Sequence, residues 1–129
     1  MRLKQITLNR VEGRSEECNK PVTVTNFIAC DVIINRMAKT APSIGYDKVE
    51  FKVEFTDIDT EEEHEYVGRL DLMKKHEHDN DILVKQMLRY LKYQLKELLM
   101  VENKNEIEAK QIESIGRWVG ELEFYLNFF

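Results

Sequence analysis

Six acidic side chains fall close together in one short stretch: Asp57, Asp59, Glu61, Glu62, Glu63 and Glu65. A row of like charges gains by meeting cations, and on a rigid strand it resembles the phosphate ladder that lysine and arginine grooves hold. Two readings stay open. One is a solvated turn whose charges keep a hairpin edge from pairing with other chains. The other is a surface for a basic protein partner, including mimicry of a nucleic-acid backbone. A calcium loop fits less well, because Asp57-Ile58-Asp59-Thr60-Glu61 lacks the glycine and the terminal glutamate spacing of an EF-hand.

The residue types that do covalent or metal chemistry are sparse. His76-Glu77-His78-Asp79 could offer two imidazoles and a carboxylate to a metal, but the spacing matches neither a metalloprotease helix nor a zinc finger. A polar lead-in to a helix cap accounts for it. The chain has no nucleophile elbow, no glycine-rich phosphate loop and no cysteine-centred catalytic motif. Cys30 sits in the apolar run Phe27-Ile28-Ala29-Cys30 and reads as core, while Cys18 lies in a polar loop, so no disulfide framework is expected. The expectation is a protein without catalytic residues, metal or cofactor.

A second charged surface is basic. Lys85, Arg89, Lys92 and Lys96 are spaced four, three and four apart, which puts them on one helix face, with Tyr90 and Tyr93 interleaved. That stripe is either an ordinary solvated face or an alternative nucleic-acid face. Gly116 and Gly120 share a side of the last helix and would let another backbone approach. Trp118, Tyr125, Phe128 and Phe129 cluster toward a chain end that usually frays, and are the candidate oligomer interface of a homodimer.

The elements that carry these residues follow from periodicity. Residues 3–11 read as a strand with Ile6 and Leu8 on one face. Residues 12–20 read as a loop, and Thr25 or Asn26 caps a helix over about 26–39 that Pro42 and Gly45 close off. Val49, Phe51, Val53 and Phe55 alternate with Glu50, Lys52 and Glu54, the period-two pattern of a half-buried strand. Residues 64–73 alternate again, so the acidic stretch becomes the turn of a β-hairpin. Asp79 or Asn80 caps a helix striped with Leu83, Met87, Leu91, Leu95, Leu98 and Leu99. After Asn103 to Asn105 comes a second helix with Ile107, Ile112, Ile115, Trp118, Val119, Leu122, Tyr125 and Leu126.

The expected fold is therefore α+β. A small antiparallel sheet, the N-terminal strand plus the β-hairpin, is packed by one helix and followed by a C-terminal antiparallel pair of long helices. A single domain spans 1–129, with the sheet and first helix in 1–78 and the helical hairpin in 79–129. The length of 129 residues suits one domain with a real core. The net charge of −5 is uneven: residues 50–81 hold twelve acidic against four basic side chains, and the rest of the chain is balanced or basic. No apolar run is long enough for a signal peptide or a membrane span, so a cytoplasmic protein with no membrane partner is expected.

The segment Pro42-Ser43-Ile44-Gly45-Tyr46-Asp47-Lys48-Val49-Glu50-Phe51, followed by Tyr66-Val67-Gly68-Arg69-Leu70-Asp71-Leu72, resembles the large polyvalent-protein-associated domains carried by phages and conjugative elements. In that family a GYDK-type turn leads into a strand, and a Y-x-G-R-x-D-L strand returns. The likeness covers about residues 5–95. It departs from the family in its longer, more acidic hairpin loop and in the extra helix near 105–128. The resemblance carries over no catalytic residue. It implies a mobile-element protein in a bacterial host cytoplasm, where small acidic proteins act as anti-CRISPR or antirestriction inhibitors. The partner it suggests is a host nuclease effector such as a Cas protein, in preference to nucleic acid.

Overall fold

A computed structural model describes residues 1–12, 21–44, 46–72 and 81–128. The chain is α+β: β1 (Arg2–Glu12), β2 (Val22–Val24), α1 (Phe27–Ile44), β3 (Tyr46–Thr56), β4 (Glu63–Asp71), α2 (Ile82–Met100) and α3 (Glu106–Phe128). It divides into two compact units, Arg2–Ile82 and Met1 with Leu83–Phe129.

The first unit is built on an antiparallel sheet of strand order β2-β1-β3-β4. Four strands replace the three expected. The added one, β2, is only Val22–Val24, pairing with Ile6–Leu8, and three residues are too few for a period to show. Alternation sends Ile6, Leu8, Val49, Phe51, Val53, Phe55, Tyr66 and Leu70 into the core, all nearly or fully buried. Burying a side chain of this size contributes about 1.5–3 kcal/mol, so the paired faces of β1, β3 and β4 dominate this unit's stability.

Helix α1 lies against β3 and β2. Asn26 caps it, its Oδ1 accepting from the Ala29 N–H at 2.7 Å. Phe27, Cys30, Ile34 and Met37 are buried, while Ile28 and Val32 remain on the outer side. The helix continues through Pro42 to Ile44 and does not stop near 39. Asp31 on α1 accepts from the Asp81 N–H at 3.0 Å, holding the end of this unit to its helix.

In the second unit, α2 buries Leu83, Val84, Met87, Leu88 and Leu91, and α3 buries Ile115, Trp118 and Leu122. The start of α3 is a capping box. Asn105 Oδ1 accepts from the Glu108 N–H at 2.8 Å, and Glu108 Oε1 accepts from the Asn105 N–H at 3.4 Å. Lys92 on α2 pairs with Glu123 on α3 at 2.9 Å. Near the connection the apolar stripes surface, leaving Leu99, Met100, Val101 and Ile107 exposed.

One close approach fixes the sheet. Gly68 on β4 stands opposite Phe51 on β3, and a Cβ at Gly68 would meet the Phe51 ring at 2.5 and 2.9 Å and the Tyr66 hydroxyl at 3.0 Å. The Phe51 and Tyr66 rings are 5.7 Å apart and tilted by 59°. Because Phe51 is wholly buried, its ring has nowhere to retreat. Gly68→Ala is expected to destabilise the protein by about 1–3 kcal/mol in urea denaturation, an overpacking cost. Phe51→Leu in the same chain should recover part of that loss in a double-mutant cycle, and additive losses would show that the two sites do not compete for space.

Candidate functional site

The acidic hairpin turn is shaped by its first carboxylate. Asp57 is 1% exposed, and its Oδ1 accepts from the Asp59 N–H at 2.8 Å and the Thr60 N–H at 3.2 Å. Its backbone closes the turn from both sides. The Asp57 N–H donates to the Glu62 carbonyl at 2.9 Å, and the Glu61 N–H donates to the Asp57 carbonyl at 2.8 Å. The Glu62 N–H reaches Thr60 Oγ1 at 3.4 Å. Closure forces Glu61 to a φ of 61°, a left-handed conformation that a side chain makes costly. The turn that the sequence marks as acidic is thus tied by its own bonds.

The six acidic residues consequently do different things. Asp57 is buried and spent on the turn, so the expected binding set loses its first member to a structural role. Glu63 is held by Lys4 at 2.6 Å. Lys4 is the extra residue of a bulge in β1, between Leu3 and Gln5, and from there it reaches across β3 to β4. Glu63 raises the Lys4 ammonium above its ordinary pKa, first by the hydrogen bond and then by its charge. Glu65 lies 3.7 Å from Lys52, which also touches Glu54 at 3.4 Å. Glu54 is held below its ordinary value, chiefly by a hydrogen bond from Gln5 and then by Lys52. Its contribution to stability is therefore present above the ordinary carboxylate range and is lost as pH falls through the lowered value. Arg69 meets Glu50, its register partner on β3, at 3.4 Å.

The exposed tip consists of Ile58, Asp59, Thr60, Glu61 and Glu62. Glu62 lies 3.7 Å from His64, whose ring stacks on Phe55 at 5.7 Å. Ile58 was not among the residues singled out from sequence. It is 63% exposed at the summit of the turn. An isolated apolar residue inside an acidic run was the signal available for it.

The other candidate residues are placed as follows. Lys85, Arg89, Lys92 and Lys96 are all exposed on α2, with Tyr90 and Tyr93 also exposed, although Lys92 is engaged with Glu123. Trp118 is buried, so it belongs to the core of its own unit, and Tyr125 is half-buried. Phe128 is exposed and packs against Phe124 with ring centroids 4.5 Å apart. Phe129, Cys18, Gly45, His76 and His78 lie outside the described residues. The Cys30 thiol is free, buried and pushed up to about 12, first by burial and then by the Asp31 charge, which makes it a poor nucleophile. Among the described residues no group of three or more histidine, cysteine or carboxylate side chains is placed to hold a metal.

Comparison with protein-family models, with characterised proteins and with solved structures finds no match. The family likeness of the GYDK and Y-x-G-R-x-D-L segments rests on those residues alone.

Asp57→Ala is expected to lower stability by about 1–3 kcal/mol, since two backbone donors lose their acceptor. Glu61→Gly is expected to raise it by about 1 kcal/mol by relieving the left-handed backbone. Opposite shifts in the urea midpoint of these two variants would check the geometry, and a neutral Asp57→Ala would contradict it.

Proposed function

We infer that this protein works by binding, engaging a basic protein surface through the tip of its hairpin. The observation that carries the reading is Ile58, held out to solvent between Asp59, Glu61 and Glu62 by a turn that Asp57 clamps from within. An exposed apolar anchor rimmed by charge, on a backbone already ordered, has the anatomy of an interface hot spot. Preorganisation lowers the entropic cost of docking, and the carboxylates speed encounter with a cationic groove. Grooves that hold nucleic acid are cationic in this way, lined by the lysine and arginine that neutralise phosphates. Combined with the resemblance to mobile-element domains, this points to inhibition of a nuclease effector in a bacterial host, in the manner of anti-CRISPR proteins. No helix among the described residues is long and apolar enough to cross a membrane.

The test is a tip variant, Ile58→Ser with Asp59→Asn, Glu61→Gln and Glu62→Gln, assayed against purified nucleic-acid-guided and restriction nucleases. Wild-type protein should inhibit one of them with an affinity that falls as salt rises, and the variant should bind it at least tenfold more weakly while keeping its urea midpoint. Equal inhibition by both proteins would overturn the tip as the site.

A second reading rests on the exposed stripe Lys85, Arg89 and Lys96 beside Tyr90 and Tyr93. Cations along one helix face with neighbouring aromatic rings suit a single-stranded nucleic-acid backbone and its bases. Binding of a fluorescent oligonucleotide by wild type, with the salt slope reduced by about one for each lysine or arginine replaced by alanine, would favour it. An oligonucleotide affinity unchanged by those replacements would dismiss it.

A further inference from the structure

Alternation along β1 would point Lys4 the wrong way. Ile6 and Leu8 face the core, so counting back by twos puts Lys4 on the core side as well. The register shift between Leu3 and Gln5 prevents this. Leu3 pairs with the buried Phe55 and Gln5 with Glu54, so Leu3 takes the core side and Gln5 the outer side. Lys4 is the residue left over between them, the extra member of a bulge. A bulge re-aims the side chain that it carries. This one sends the Lys4 ammonium past β3 to the Glu63 carboxylate on β4, 2.6 Å away.

The target of that reach adjoins the acidic tip. Glu63 directly follows Glu62, and its pairing with Thr56 is the first rung below the turn. Lys4 is its one ion-pair partner among the described residues. The two side chains are 69% and 44% exposed, so the contact leaves the carboxylate open to solvent. Exposed pairs of this sort are weak and screened by salt, because water and dissolved ions compete for both charges. A guanidinium or ammonium carried by another molecule can take the same carboxylate.

We propose that Lys4 is a built-in competitor at the hairpin tip, holding Glu63 as a partner's lysine or arginine would and giving way when a cationic partner docks. This rests on the reading of the tip as a surface for a cationic partner, and it adds Glu63 to that surface as a masked member. Lys4 then acts on specificity. A weakly basic surface does not replace the contact that Lys4 already makes, whereas a densely basic one does, so the pair discriminates against the first. Lys4 is a positioning and selectivity residue in this scheme, and no part of the turn depends on it.

Fluorescence anisotropy of a labelled octa-arginine peptide against the full chain, in about 50 mM salt, tests the proposal. Lys4→Gln should tighten binding about threefold, the scale of one exposed ion pair. Lys39→Gln makes the same change of net charge at an exposed position on α1, and should shift the affinity by less than about 1.5-fold. Adding Glu63→Gln to Lys4→Gln should remove the whole gain. Each variant should keep the wild-type urea midpoint, since the pair it breaks is exposed. The four-residue tip variant, run alongside, tests the reading underneath. If it binds the peptide as tightly as wild type, the tip is not a cationic docking surface and the competitor falls with it. If it loses affinity while Lys4→Gln stays at the wild-type value, or gains no more than Lys39→Gln, the tip stands and the competitor is overturned. A gain from Lys4→Gln that survives Glu63→Gln overturns it too.

Discussion

Asp57 places a carboxylate where water does not reach it, and such a group persists only when other donors replace the water. Two backbone N–H groups of its own turn do so. Their geometry sets the length of the loop, and the length of the loop sets which residue of β4 faces which residue of β3. The consequences run along the whole hairpin. Phe51 meets Gly68 and not a bulkier neighbour, Glu50 meets Arg69, and Val49 and Leu70 share the core. A slip of one residue would turn every one of these side chains to the wrong face. The local carboxylate bonds and the distant aromatic packing therefore specify the same register, and each is weaker without the other.

The same register sorts the charges. On the outer face Lys4, Lys52 and Arg69 stand among Glu50, Glu54, Glu63 and Glu65, in contacts of 2.6 to 3.7 Å, all but the Lys52–Glu54 pair crossing from strand to strand. Exposed pairs of this kind contribute little each to stability. Their larger effect is to convert an acidic stretch of sequence into a nearly balanced surface, leaving the turn itself as the acidic feature. What composition presents as one block of negative charge is, in three dimensions, a compensated sheet face and a separate tip.

Much of the scaffold was legible in the sequence. The alternation from Val49 to Phe55 gave β3, and the helical spacings gave the three helices to within a few residues except at the end of α1. The failures share a cause, which is that periodicity reports a face without reporting what covers it. Trp118 reads equally well as a core or an interface residue, and burial alone decides for the core. Val22–Val24 is too short to have a period, so β2 was missed. The division of labour among Asp57, Asp59, Glu61, Glu62, Glu63 and Glu65 depends on cross-strand neighbours such as Lys4, which is 59 residues from Glu63 in sequence. Only a bulge in β1 brings that lysine within reach, and bulges leave no mark in an alternation pattern.

Opposite charges side by side cancel when viewed from far away, while a cluster of one sign does not. At ordinary ionic strength, fields decay over about 10 Å, so an object approaching this molecule from beyond that distance is nearly blind to the sheet face. Asp59, Glu61 and Glu62, exposed together on the turn, form such a cluster. Lys4, by cancelling Glu63 a short way behind the tip, narrows that field to a direction.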